Sequence, residues 1–168
     1  MIEIRQEQNE QDLPGIRQVN REAFPDTGGA KVFYEIRQTG TGIVSLVAVD
    51  DDNLVGHVLF CPATIASQGG EVRGMGLGEL AVLPEFQRQG VGTMLTNTGL
   101  DMLRGRSCSF VIVVGHSSYY PRFGFRPGSQ LELACQWESI PDESFMALIL
   151  DRDAMGGVTG VARFVGIP

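Results

Sequence analysis

The sequence is short of the residues that staple or metallate a small protein. Its three cysteines, Cys61, Cys108 and Cys135, are odd in number, widely spaced and form no C-x-x-C pair. That argues against a disulfide framework and against a zinc site, and fits free thiols in a reducing compartment. No apolar run approaches the length that spans a bilayer. The polar, acidic opening MIEIRQEQNEQ is not a signal peptide, so the expected location is the cytoplasm. Positive charge is also scarce: 13 Lys and Arg face 20 Asp and Glu, a formal net charge of −7. This balance argues against nucleic acid and against an anionic membrane surface as partners. It is compatible with a cationic or amine substrate, although an acidic surface also serves simply to keep a protein soluble.

What is present is the composition of an ordinary globule. A chain of 168 residues, 43% apolar and 20% charged, is expected to form a single domain over residues 1–168 with a core of its own. Ile2 to Arg5 alternates apolar and polar and predicts a short strand. Asp12 is expected to cap a helix that carries Leu13, Ile16, Val19, Asn20 and Ala23 and ends at Phe24-Pro25. Ala30 to Arg37 predicts a second short helix, closed by Gly40-Thr41-Gly42. Ile43 to Val49 and Leu54 to Phe60 predict an antiparallel hairpin around Asp50 to Asn53, with a loop slightly longer than the tightest class. Consecutive aspartates on a turn rarely converge on one ion, and no EF-hand Glu follows, so this is a solvated turn. Ala66 to Gly74 predicts a turn, and Leu77 to Leu83 a strand.

From Gly92 to about Gly105 the spacing of Met94, Leu95, Met102 and Leu103 predicts a helix with one apolar face. Ser109 to Val114 is nearly continuous β-branched sequence, the mark of a central strand covered on both faces. Together these predict a right-handed parallel crossover. One short helix fits within Gly115 to Phe125, and Phe145 to Leu150 predicts a late strand. The elements sum to an α/β domain, a mixed sheet with helices on its faces.

The most informative stretch runs from Leu80 to Thr93: an apolar strand, a stop at Pro84, a short turn, and a Gly-x-Gly that opens a helix. A helix N-terminus offers unpaired N–H groups and partial positive charge, a natural seat for phosphate. A P-loop would need a lysine that Val91-Gly92-Thr93 does not supply. A dinucleotide fingerprint would need a third glycine where Leu95 stands.

What remains, Gln87-x-x-Gly90-x-Gly92 after Leu-Ala-Val-x-Pro, resembles the acetyl-CoA signature Arg/Gln-x-x-Gly-x-Gly/Ala of the GCN5-related N-acetyltransferase (GNAT) superfamily. Tyr120-Pro121-Arg122-Phe123-Gly124-Phe125 resembles that family's Tyr-x-x-x-Gly-Phe segment, in the right order and at the right distance. The wording Tyr-Tyr-Pro-Arg-Phe-Gly-Phe is similar to one branch of uncharacterised bacterial acetyltransferases.

The resemblance implies a GNAT-like mixed, mostly antiparallel, splayed seven-strand sheet flanked by helices. It implies an enzyme that moves an acetyl group from acetyl-CoA, its co-substrate, to a primary amine by direct attack in a ternary complex, with no metal. Carried over by position, the backbone amides of Arg88, Gln89, Gly90, Val91, Gly92 and Thr93 cradle the pyrophosphate, and the Arg88 side chain adds charge. Leu80, Ala81 and Val82 pair with the pantetheine arm like an added strand. The Leu80 N–H is the candidate donor to the thioester oxygen. Tyr120 is the candidate acid for the CoA sulfur, and Tyr119 is a packing residue. Glu79 is the candidate base, directly or through a water, with His116 its rival; His57 is read as structural. The family's Asn upstream of the Tyr has no counterpart in Gly115-His116-Ser117-Ser118. The acceptor is a small-molecule or protein amine, and a homodimer is compatible with the family's habit. The rival reading is a sensor or scaffold that binds acyl-CoA without turnover, and a longer acyl donor is a third.

Overall fold

The computed structural model describes residues 1–25, 36–37 and 41–168. Along the chain come β1 (Glu3–Gln6), α1 (Asn9–Ala23), β2 (Val44–Asp50), β3 (Asn53–Ser67), β4 (Gly70–Val82), α2 (Val91–Gly105), β5 (Phe110–Val114), β6 (Arg126–Pro127), β7 (Leu133–Cys135), β8 (Phe145–Ile149) and β9 (Gly160–Phe164). Among the described residues, nine strands belong to one sheet. Seven lie on a continuous path, β1-β2-β3-β4-β5-β8-β6, while β9 pairs with β3 and β7. The pairs β4–β5 and β7–β9 are parallel. The ladders β1–β2, β2–β3, β3–β9, β5–β8 and β6–β8 are antiparallel. The sheet is therefore mixed and mostly antiparallel, the class expected from the sequence.

The residues gather into two compact units, Met1–Phe60 with Gly78–Met102, and Cys61–Leu77 with Leu103–Pro168. In the first, Ile16 and Val19 of α1, Leu46 and Ala48 of β2, Val58 and Phe60 of β3, and Leu95 and Leu100 of α2 are buried. Helix α1 begins earlier than predicted, and Asp12 sits inside it rather than at its cap. From there its carboxylate reaches back to accept the Gln8 N–H at 2.6 Å and two bonds from Arg5 at 2.7 and 2.9 Å. Asp12 thus satisfies a free N-terminal donor from within the first turns. The β2–β3 hairpin is tighter than predicted. Asp50 pairs with Asn53, and the two loop residues, Asp51 and Asp52, adopt φ of 46° and 66°. Positive φ at both positions is the mark of the two-residue turn whose twist matches its strands. Of the helix predicted over Ala30 to Arg37, Ile36 and Arg37 are helical; the rest, with Gly40, lies outside the described residues.

In the second unit β5 pairs with β4 through Met75↔Val111, Gly76↔Ile112 and Leu77↔Val113, and with β8 on its other edge. Phe110, Val111, Ile112 and Val113 are all buried, as expected of a strand covered on both faces. The predicted turn from Ala66 to Gly74 is much smaller: β3 runs to Ser67 and β4 starts at Gly70. Gly74 is a strand residue. A Cβ there would lie 2.6 Å from the Phe110 ring, so glycine here marks a close approach rather than a bend.

Candidate active site

The phosphate turn is built by the end of β4 and the start of α2. The Leu83 N–H donates to the Val55 carbonyl at 2.9 Å, and a single 3-10 turn over Pro84–Phe86 redirects the chain. Two side chains brace the segment between this turn and the helix: Gln87 Nε2 donates to the Val82 carbonyl at 2.9 Å, and Gln89 Nε2 to the Glu85 carbonyl at 2.9 Å. Arg88 and Gly90 adopt φ of 62° and 86°, both left-handed values. The first intrahelical bond runs from the Met94 N–H to the Gly90 carbonyl at 3.0 Å. The N–H groups of Val91, Gly92 and Thr93 therefore precede it and have no helical acceptor. No acidic residue lies in the first turn to compensate the positive helix end. A Cβ built on Gly90 would meet no atom within 4 Å, so the turn is open on that side. Arg88, Gln89 and Gly90 are exposed, while Val91 and Leu95 anchor the helix in the core. These features fit a diphosphate.

Upstream, the ladder from β4 to β5 covers Met75, Gly76 and Leu77, and β4 continues past it to Val82. Its side chains alternate: Glu79 and Ala81 are buried, Leu80 and Val82 half-buried. Glu79 thus faces inward, opposite in sense to Leu80. The Val82 carbonyl accepts from Gln87 Nε2 through one of its two lone pairs.

Glu79 is 7% exposed. Burial pushes its carboxyl up to about 8, against the pull of the Arg37 charge, which lowers it. Its Oε2 is buried and, among the described residues, accepts no hydrogen bond. Arg37 is held by Glu7: Nη1 donates to Oε1 at 2.8 Å, and Nη2 to Oε2. Ser45 Oγ also donates to Glu7 Oε2, and stands 2.9 Å from His57 Nε2. On the far side of the ring Asn20 Nδ2 lies 3.4 Å from His57 Nδ1 and donates to the Ile16 carbonyl at 3.0 Å. With Asn20 donating to Nδ1, the ring proton belongs on Nε2, aimed at Ser45. Burial, then the Arg37 charge, push His57 down to about 3, so it is a neutral core histidine.

In the second unit Tyr120 opens a 3-10 turn over Tyr120–Phe123 that ends at Gly124, φ 97°. Its ring meets Tyr119 and Phe125 edge-on, with centroids at 5.1 and 5.8 Å. A Cβ on Gly115 would collide with the Tyr120 ring, which accounts for the glycine that closes β5. Burial, then Tyr119, raise the Tyr120 phenol above its usual range, so it stays protonated at any working pH. Tyr119 packs, as expected: Arg122 stands 4.3 Å over its ring and donates to its carbonyl at 2.8 Å. His116 is exposed, and its carbonyl accepts the Tyr119 N–H at 3.1 Å and the Tyr120 N–H at 3.5 Å. Its backbone therefore shapes the tyrosine turn while its imidazole faces solvent.

The first unit thus holds Glu79, Leu80, Ala81, Val82 and the turn from Arg88 to Thr93; the second holds Tyr120. Sequence reading gave no role to Glu7, Arg37 or Ser45. No local pattern marks them, since Arg37 and Glu7 lie 30 residues apart.

A mixed sheet with an anion-ready turn between a strand and the helix after it can seat a phosphate-bearing ligand. Residues 3–128 match the family model described as Acetyltransferase (GNAT) domain, and the chain belongs to that family. It is similar to a protein of Escherichia coli strain K12 named Uncharacterized N-acetyltransferase YhbS, 32% identical over 154 residues, 91% of this chain and 90% of the relative. The 1.55 Å crystal structure of YhbS from Escherichia coli in complex with CoA matches with a TM-score of 0.87, covering 97% of this chain and 89% of that one. A GNAT family acetyltransferase from Brucella melitensis, in complex with acetyl-CoA, matches with a TM-score of 0.76 at 29% identity, covering 98% and 96%. Among the described residues no helix is long and apolar enough to cross a membrane, and no three His, Cys, Asp or Glu side chains group as a metal cage needs.

Proposed function

We propose that the chain is an acetyl-CoA-dependent N-acetyltransferase acting on a primary amine in a ternary complex. The observation that carries the reading is the turn from Arg88 to Thr93, with its left-handed backbone at Arg88 and Gly90, three N–H groups free of helical acceptors and no acidic residue in the first helical turn. Relatives of the same fold bind CoA and acetyl-CoA, which supports the assignment.

Bound acetyl-CoA supplies an activated acyl group. The amides of Arg88, Gln89, Gly90, Val91, Gly92 and Thr93 hold the diphosphate, with the Arg88 side chain adding charge. Backbone groups of Leu80, Ala81 and Val82 pair with the pantetheine arm. The Leu80 N–H donates to the thioester oxygen as charge develops there. Glu79 accepts the proton of the attacking amine; a carboxyl held near 8 is a stronger base than an exposed one, and its ionised fraction grows through the mildly alkaline range. As the N–C bond forms and the C–S bond breaks, Tyr120, still protonated, gives its proton to the sulfur. The acceptor is a small molecule or a protein amine.

The test is release of CoA thiol from acetyl-CoA across a panel of polyamines, amino acids, aminoglycosides and peptide N-termini. Turnover with at least one amine, at a rate that depends on Tyr120, is expected. CoA binding with no amine consumed would favour the sensor reading instead.

A further inference from the structure

Away from the residues assigned to acetyl-CoA, the second unit holds an open cavity of about 410 Å³, with Arg104, Ser107 and Cys108 on one side and Leu150 to Asp153 on the other. Small-molecule sites span about 300–1,000 Å³. We propose that this cavity is a second small-molecule site and that it takes a free α-amino acid as a zwitterion: carboxylate on Arg152, ammonium on Asp153 and the Ser107 hydroxyl, side chain over Leu150 and Cys108. The cavity lies at the opposite end of β5 from Tyr120. The Leu150 and Asp151 N–H groups both donate to the carbonyl of Ser109, the residue before β5, at 2.9 and 3.1 Å. Tyr120 follows the other end of the strand, and the five residues of β5 put about 16 Å between the two. Binding there is independent of acetyl transfer.

Both walls are fixed by the chain's own hydrogen bonds. Helix α2 ends in a left-handed cap: the Cys108 N–H donates to the Leu103 carbonyl at 3.1 Å, the Ser107 N–H donates to the Arg104 carbonyl at 3.2 Å, and Ser107 sits at φ 57°. Glycine is the unstrained choice at that position. Serine there puts a hydroxyl on the cavity wall instead. On the other wall Asp151 Oδ1 accepts the N–H groups of Asp153 and Ala154, both at 3.0 Å, so that oxygen is already committed. The Cys108 thiol donates to the Phe110 carbonyl at 3.2 Å and burial holds it protonated, so it acts as a small apolar floor and not as a nucleophile. One hydroxyl, one guanidinium and one carboxylate remain. Ser107, Arg152 and Asp153 are exposed, and among the described residues their side chains have no hydrogen-bond or ion-pair partner. The lining carries two arginines and two aspartates and is formally neutral. A bare anion would face Asp151 and Asp153, and a bare cation would face Arg104 and Arg152. A ligand with both charges on one carbon suits Arg152 and Asp153, which are neighbours in the chain.

The experiment is an amide NMR titration of the full chain with each free amino acid in turn, followed at Ser107, Cys108, Asp151, Arg152 and Asp153. Acetate and methylamine serve as controls that carry one charge each. Saturable shifts at these amides are expected with at least one amino acid. Arg152→Gln and Asp153→Asn are each expected to weaken that binding about tenfold or more, since each removes one charge-assisted bond. Both residues are exposed, so both variants are expected to fold and to bind acetyl-CoA as the wild type does. Saturation by acetate or methylamine as tight as by any amino acid would overturn the zwitterion assignment. Unchanged affinity in both variants would overturn it equally. Amides that stay in place with every amino acid up to about 20 mM would overturn the site itself.

Discussion

Glu79 and His57 are buried titratable groups shifted in opposite directions, and each ties stability to pH. The folded state holds Glu79 near 8 against an ordinary 4.5, so its contribution is complete below about pH 4.5 and is lost as pH rises through 8. The folded state holds His57 near 3 against an ordinary 6.5, so its contribution is present above 6.5 and is lost as pH falls through 3. Melting curves of wild type and Glu79→Gln from pH 5 to 9 are expected to diverge, with the variant losing less Tm on the alkaline side. Parallel curves would mean that Glu79 does not titrate in this range. The same substitution is expected to lower kcat by about 10²–10⁴-fold and to abolish the rise in rate centred near pH 8. Tyr120→Phe is expected to lower kcat by about 10²–10⁴-fold with CoA affinity unchanged. A loss of CoA binding instead would make Tyr120 a wall of the site rather than its acid. Glu79 and Tyr120 can be named as candidates from sequence because each stands in or beside a motif. The cluster of Glu7, Arg37 and Ser45 cannot, because its bonds join residues far apart in the chain.

At the scale of elements, the turn from β4 into α2 is where sequence and structure agree most closely. The helix predicted from Gly92 begins at Val91, and both end at Gly105. Local information suffices there: a proline stop, a glycine with positive φ and a periodic apolar face all act within a few residues. From sequence alone β3 and β4 look shorter, because Gly69, Gly70 and Gly74 mark a turn. Their lengths are set by distant partners, among them β9 along Ala63–Ala66 and the Phe110 ring against Gly74. Gly90→Ala tests the turn. With no protein atom near a Cβ there, the substitution costs the fold only backbone strain, about 1–2 kcal/mol. CoA affinity is expected to fall roughly tenfold or more, as the strained turn and the added methyl displace one charge-assisted bond from the diphosphate. A variant that binds CoA as tightly as wild type would place the diphosphate elsewhere.

For the molecule as a whole, family membership follows from the sheet, the turn and the match over residues 3–128. Chemistry at the level of named residues rests on whether this chain holds acetyl-CoA. A ligand that binds only the folded chain stabilises it by about 2.7 kcal/mol at a hundredfold excess over Kd, so a clear rise in Tm is expected with acetyl-CoA. The most direct measurement is titration calorimetry of the folded chain with acetyl-CoA. Saturable binding is expected, with Kd between about 1 μM and 1 mM, weakened in Gly90→Ala. No heat at any temperature tried, with the melting curve unmoved by the same ligand, would contradict the assignment at its root.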